Sequence, residues 1–503
     1  MSKFLRQSSG LVKHATLKDL IMLNVANMGA GLAVFQGISP YILPGANLWV
    51  ASLLTFLVSL PLVGVYTALM MRMPRTGGDY IWLSRKLHGG LGSVMGIAIA
   101  FNMPPFFALS AFFSVSAINS VLSEIGVLDN VPSLVNLSNN VFVNPYGRLT
   151  LTQELLIYGL SALAFIIIIG INIVKPRFGY SLTTWLGIFS SASLALGVIM
   201  LIHSGIAGTF HSAINDFVTR EGINESSYRG PVFSLPSTIY MIPYFASFAY
   251  IWLYAGPAVA SEAKGSIKWN LLFASVLTAM MITVPFFVMD AIGGYTFNAS
   301  LYPTFVYNFW TASIAVSPPI VQWVLGMGLI AWNFFVIAFG VVVFSRYVFA
   351  FSFDRVFPSF FAKLNRASSP YLAHVLDLVL TLIFLTIPLI SVNGAESLYA
   401  YTPLAAIYLF LVGLTGVKVG KEERNTGLLI TSILSSAFMA FLAYESVTNP
   451  FFGVISSGGI NPIGTGYLIS LVGSGVIIYF VASWLRRREG IRLNDVFQEI
   501  PPD

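Results

Sequence analysis

Two short stretches carry residue types that can open a helix inside an apolar environment: Asn27-Met28-Gly29-Ala30-Gly31 and Ala255-Gly256-Pro257. Glycine costs a helix interior about 1 kcal/mol relative to alanine and permits tight turns and close approach of a ligand. Proline removes one hydrogen-bond donor and strains the preceding turn. Backbone groups freed in this way grip a solute; they do not transform it. Residues for covalent chemistry are scarce. The chain has no cysteine, which excludes thiolate nucleophiles, disulfides and thiolate metal sites. Its five histidines, His14, His88, His203, His211 and His374, are too scattered for a zinc-type cluster, so neither a metal nor a cofactor is expected. His374 and Asp377 stand three apart, a spacing that brings side chains together on a helix. They are candidates for a proton relay, or more plainly for a hydrogen-bonded pair that anchors the helix. No titratable cluster suggests an enzyme, and no charged ring or filter motif suggests a channel.

The elements that hold these residues follow from composition. Of 503 residues 26 are Lys or Arg and 20 are Asp or Glu, so 9% are charged, against about 25% in soluble domains. With 56% hydrophobic residues and a mean hydropathy of +0.80, the chain is neither a soluble enzyme nor disordered, and no nucleic-acid partner is expected. A bilayer crossing takes about 20 apolar residues, and twelve such runs occur: 17–43, 47–71, 91–125, 154–174, 179–206, 236–263, 269–293, 319–353, 371–390, 398–417, 428–446 and 463–485. The alternating ten-residue runs of a membrane barrel are missing. No cleavage site follows the first run, so it reads as a span and not as a signal peptide. Positive residues mark the cytoplasmic side. With the N-terminus inside, 23 Lys and Arg residues fall on that side and three, Arg148, Arg220 and Arg229, on the other. The expectation is a multi-pass cell-membrane protein with both termini cytoplasmic. Sequons at Asn136, Asn224 and Asn298 fall outside in this topology.

Five is odd, so spans one to five and six to ten enter the membrane in opposite senses, and an inverted repeat is available. Such repeats build secondary transporters, whose discontinuous leading helices meet the substrate near the midplane. The two glycine-bearing stretches lie in the leading spans of the two sets. The expected organisation is an N-terminal segment 1–16, a first five-helix repeat 17–207, an outer loop 208–235, a second repeat 236–417, helices eleven and twelve 418–488 and a tail 489–503. Closely packed helices also use glycine, but the matched pair of breaks favours a binding site.

Met73-Pro74-Arg75-Thr76-Gly77-Gly78-Asp79-Tyr80 resembles the P-R-x-G-G-x-Y signature of the amino acid–polyamine–organocation (APC) transporters. Gly29-Ala30-Gly31 resembles that family's first-helix glycine motif. Ser261-Glu262-Ala263-Lys264 resembles the polar end of its sixth helix, and Ser345-Arg346-Tyr347 with Phe353-Asp354-Arg355-Val356-Phe357-Pro358 the end of its eighth. The resemblance runs through nearly the whole chain in order and spacing. It implies an all-α fold of the LeuT type: twelve transmembrane helices, a 5+5 inverted repeat and two C-terminal helices.

The resemblance further implies that amides of the first-helix motif take an amino acid carboxylate and carbonyls of the sixth-helix break take its ammonium. A half-helix N-terminus suits an anion. The implied donors are Ala30, Gly31 and Leu32, flanked by Asn27, Met28 and Gly29; the implied acceptors are Phe248, Ala249 and Tyr250. Phe248 falls at the family's gating aromatic. Trp252 stands where the family commonly has glycine and Tyr254 where many members have glutamate, which disfavours arginine or polyamines and favours a small or neutral amino acid. Asn102, before Pro104-Pro105, and Asn333 are uncharged candidates for substrate contact. Glu262 with Lys264, Lys268 and Arg75 is a candidate inner gate of ion pairs. The coupling ion, proton or sodium, stays open: residues 330–344 hold no Ser or Thr for a sodium site of this fold, and residues 179–206 hold no lysine. A carrier of another organic solute, such as a polyamine or amine, or a transporter-fold sensor without net transport, is the alternative.

Overall fold

The computed structural model describes residues 4–5, 8–144, 149–223, 227–390, 397–456 and 458–502. Lys3, Arg6, Arg148 and the sequon at Asn224 lie outside the described residues. Among the described residues eleven helices are long and apolar enough to cross a membrane. They are span 1 (Leu17–Gly37), span 2 (Leu48–Arg72), span 3 (Gly89–Leu128), span 4 (Leu151–Val174), span 5 (Pro176–Ile206), span 7 (Asn270–Gly293), span 8 (Pro319–Phe353), span 9 (Tyr371–Pro388), span 10 (Thr402–Glu422), span 11 (Thr426–Thr448) and span 12 (Pro462–Arg488). The sixth crossing is assembled from the pieces Leu235–Tyr240, Ile242–Phe245, Ala246–Tyr250, Ala255–Ala258 and Ala260–Glu262, and so lacks one long helix. Among the described residues the only strands are the pair Ile455–Ser456 and Gly459–Ile460 before span 12.

Local chemistry sets the helix starts. The Thr16 side chain accepts from the Asp19 amide while the Asp19 carboxylate accepts from the Thr16 amide, a capping box that opens span 1. Thr150 and Gln153 do the same for span 4, and Asn47, Asn425 and Asn461 cap spans 2, 11 and 12. Each cap supplies an acceptor to first-turn amides that no helix can satisfy from within. Span 3 is jointed at Asn102 because Pro104 and Pro105 bring no amide to the preceding turn.

Span 8 forms the spine of the molecule. It runs against spans 3 and 5, where Gly326 faces Val121, Gly328 faces Ser193 and Gly340 faces Phe107. Small residues of this kind let helix backbones approach closely where water supplies no driving force. Span 12 lies at the rim, with Ile469, Ile477, Phe480 and Trp484 exposed. Both chain ends dock on one face, here called the terminal face. The amides of His14 and Ala15 donate to the Glu262 carbonyl (2.9 and 3.0 Å), and the Lys264 amide returns a bond to the Ala15 carbonyl at 2.7 Å. At the other end Leu493, Val496 and Phe497 are buried.

Candidate functional site

The first break falls where the glycines predicted it. Gly29 takes the left-handed conformation (φ 59°, ψ 35°), and its amide closes the helix Leu17–Met28 on the carbonyls of Val25 and Ala26. A short turn, Ala30–Leu32, then starts afresh. The amides of Ala30 and Gly31 head that segment and have no intrahelical acceptor. Leu32 differs from expectation: its amide bonds to the Gly29 carbonyl at 3.0 Å, so the turn itself consumes this donor. The motif is held from the side by Trp310, whose indole N–H donates to the Gly31 carbonyl at 2.9 Å. A Cβ at Gly31 would sit 2.3 Å from the Trp332 indole, whereas one at Gly29 would meet nothing within 4 Å.

The second break lies one turn earlier than predicted. Residues 251–254 are non-helical, and Ala255-Gly256-Pro257 opens the helical piece that follows. Proline sits there because a first-turn amide has no intrahelical acceptor to lose. The Ala249 carbonyl is taken by the amides of Ile251 and Trp252, which removes it from the expected acceptors. The Trp252 carbonyl accepts from Asn27 Nδ2 at 3.1 Å. Among the described residues the carbonyls of Phe248 and Tyr250 accept no hydrogen bond. The two breaks are tied together further by Asn24, whose Oδ1 accepts from the Gly256 amide at 2.9 Å and whose Nδ2 donates to Asn270 Oδ1 at 2.8 Å. Sequence reasoning missed Asn24 and Asn270; the available signal was an asparagine within an apolar run.

Aromatic side chains surround the junction. The Phe248 ring packs on Gly37, at the end of span 1 remote from the terminal face. The Trp252 indole N–H donates to the Ser247 carbonyl at 2.7 Å. The Trp252 ring lies 6.2 Å from Tyr254 and 5.6 Å from Tyr401, and Tyr254 lies 6.2 Å from Tyr347. The Tyr250 hydroxyl is turned to Ser52 of span 2 at 2.6 Å. Asn102 Oδ1 accepts from the Tyr467 hydroxyl at 2.7 Å, which commits it to span 12. Asn333 Nδ2 returns to the Leu329 carbonyl of its own helix, and its Oδ1 is buried without a partner. No hydrogen bond brings Asn102 or Asn333 to the breaks.

The expected gate is corrected in its partners. Glu262 forms a bidentate pair with Arg346 (2.8 and 2.9 Å) and accepts from the Tyr180 hydroxyl at 3.1 Å. Lys264 and Lys268 are exposed and take no part: the bridge between Ala15 and Ala263 fixes the segment before them, and both side chains lie at the surface. Arg75 Nε instead donates to the Pro501 carbonyl at 2.8 Å. The sequence offers Arg346 only within the family-like Ser345-Arg346-Tyr347 stretch, with nothing local to mark it as the partner of Glu262. A second buried pair joins Asp354 to Arg85 through two 2.6 Å bonds, with the Tyr80 hydroxyl also on Asp354. Asp79 accepts from Tyr66 (2.7 Å), Tyr408 (2.8 Å) and Tyr347. His374 and Asp377 do not form the predicted pair: both imidazole nitrogens are buried without partners, and Asp377 receives only Thr381, one turn on, at 3.3 Å. A local i to i+4 bond satisfies one carboxylate oxygen and leaves the imidazole unengaged. Among the described residues no three His, Asp or Glu side chains are grouped to hold a metal.

A helical membrane bundle in which two opened spans face each other and expose backbone donors and acceptors has the construction of a transporter. The chain belongs to the amino acid permease family: the family model so described matches residues 20–473, taking in both breaks and the tyrosine-bound Asp79. It is therefore a multi-pass membrane transporter of amino acids or related organic cations. No curated protein matches the chain.

Proposed function

We propose that the protein is a secondary carrier that moves a small or neutral amino acid by alternating access, with the terminal face in the cytoplasm and residues 17–207 and 236–417 as its two repeats. One observation carries the reading: span 1 leaves the amides of Ala30 and Gly31 without a backbone acceptor, span 6 leaves the carbonyls of Phe248 and Tyr250 without a donor, and Asn27 ties the two breaks through the Trp252 carbonyl. Residues 27–37 and 246–257 contain no charged side chain. The charged ends of a zwitterion would therefore be met by main chain, helped by the partial positive charge of a helix start. The rings of Trp252, Tyr254 and Trp332 narrow the space left for a substrate side chain, and residues 27–37 and 246–257 offer no carboxylate to pair with a basic one. Phe248 is positioned to cover the substrate from the far side, while the Glu262–Arg346 pair closes the terminal side.

Purified protein in proteoliposomes, assayed by counterflow with labelled L-alanine, L-leucine and L-arginine, tests this. Saturable uptake stimulated by internal substrate is expected for alanine or leucine, with arginine at least tenfold weaker as a competitor. A preference for arginine overturns the substrate class. Binding without counterflow for any amino acid overturns the carrier and favours a sensor.

A further inference from the structure

Among the described residues three buried carboxylates are bonded between elements at the terminal face, and two of them are neutralised by arginine: Glu262 by Arg346 and Asp354 by Arg85. The third, Asp79, is fully buried and forms no ion pair with a described cation. Its partners are the neighbouring Tyr80 amide and hydroxyls from three different spans: Tyr66 of span 2, Tyr347 of span 8 and Tyr408 of span 10. We propose that Asp79 binds the coupling proton of this transporter and that its tyrosine ring is the tie that protonation loosens. The inference rests on the carrier reading above.

The chemistry is specific to the arrangement. An ionised carboxylate only accepts hydrogen bonds, and three phenols can all donate to it in charge-assisted bonds. The three phenols and the Tyr80 amide together fill the four lone-pair sites of the carboxylate, so adding a proton makes one of these bonds let go or reverse. The ring spans three helices, so that loss is felt between them. A buried charge without a counter-ion is costly, and ionisable groups of this kind inside membrane proteins mark proton pathways. The paired carboxylates hold fixed cations and gain less from a proton.

A mechanical link runs from Asp79 to the substrate site. The preceding Gly77 and Gly78 have φ of 89° and 46°. The Gly77 amide donates to the Ala258 carbonyl at 3.0 Å, and a Cβ on Gly78 would lie 2.8 Å from the Pro257 backbone. The helical piece after the span 6 break therefore rests on the two residues before Asp79. On the other side the Tyr347 ring faces Tyr254 of the break. The remaining ionisable groups on the surrounding elements are committed elsewhere. Tyr80 is bound to Asp354 and Arg85 to the same carboxylate, Arg72 pairs with Glu423 and Lys86 with Glu422, and Lys418 and Lys421 are exposed. The rival, Asp377, makes no bond to another span, so its proton would move nothing.

The test uses the full chain in proteoliposomes and whichever of labelled L-alanine or L-leucine shows counterflow. Counterflow at equal pH reads the carrier, and accumulation under an outside-acid gradient reads the coupling. The expected result is accumulation in the wild type and at least a tenfold fall in the ratio of accumulation to counterflow in Asp79→Asn. Removing one donor from the anion, in Tyr347→Phe or Tyr408→Phe, should move the pH of half-maximal uptake upward by about one unit. These two variants carry the test if Asp79→Asn does not elute as a single species, and an unmoved pH profile in both overturns the proposal. So does a wild type that counterflows without accumulating, an Asp79→Asn protein with the wild-type ratio, or a ratio that falls only in Asp377→Asn. Absence of counterflow with every amino acid overturns the carrier reading and this inference with it.

Discussion

Gly29 and Gly31 are two residues apart, yet replacing each by alanine should fail for different reasons, and a second-site change separates them. At Gly31 the new methyl would lie 2.3 Å from the Trp332 indole, so the ring must retreat by about 1 Å to reach ordinary contact. Trp332 is fully buried and packed 5.3 Å from Phe335, and overpacking of such a site costs about 1–3 kcal/mol. At Gly29 the methyl meets open space, and the cost is the left-handed backbone alone, about 1–2 kcal/mol. Unfolding of the purified protein in detergent should therefore show two similar losses of stability. Adding Trp332→Leu should recover at least ~1 kcal/mol in the Gly31→Ala background, a coupling within the range expected for residues in contact, and nothing in Gly29→Ala. Equal behaviour of the two double variants would refute the assignment of Gly31 to close packing and Gly29 to backbone conformation.

Glu262→Gln leaves Arg346 buried beside a neutral amide, and should cost about 3–5 kcal/mol in unfolding experiments; the double change Glu262→Leu, Arg346→Met should recover most of it. Asn24→Ala removes acceptors and donors for the Gly256 amide and Asn270, and a loss of about 1–3 kcal/mol is expected from the unsatisfied groups, with substrate affinity falling alongside if the junction of the breaks is displaced. Lys264→Ala should change stability by less than about 0.5 kcal/mol, which thermal unfolding can check against Glu262→Gln. Trp252→Gly should widen the set of amino acids that compete in counterflow, with larger side chains gaining most.

What the sequence disclosed divides along a physical line. Span positions were legible because apolar length is read directly, and the first break was legible to the stretch Asn27–Gly31 because left-handed backbone asks for glycine, here Gly29. The second break lies a turn earlier than Pro257 implies, because a proline at a helix start interrupts nothing. Partners across the fold were not legible. Nothing local in Arg346 distinguishes it from a surface charge, and only the meeting of spans 2, 8 and 10 reveals the tyrosines on Asp79. His374 and Asp377 failed for the converse reason, since helical spacing permits a bond without obliging it, and Asp377 accepts from Thr381 instead.

The fragmentation of the sixth crossing bears on how the protein is made. Neither the pieces before residue 251 nor those after residue 254, at 1.5 Å per residue, spans the ~30 Å of hydrocarbon by itself, and the open residues between them expose peptide groups that lipid cannot satisfy. During synthesis this segment has no stable place until span 1 has delivered Asn27 to the Trp252 carbonyl and span 7 has brought Asn270 to Asn24. Insertion of span 6 is thus a late, partner-dependent event, and a nascent chain arrested before Gly293 should leave it outside the bilayer core.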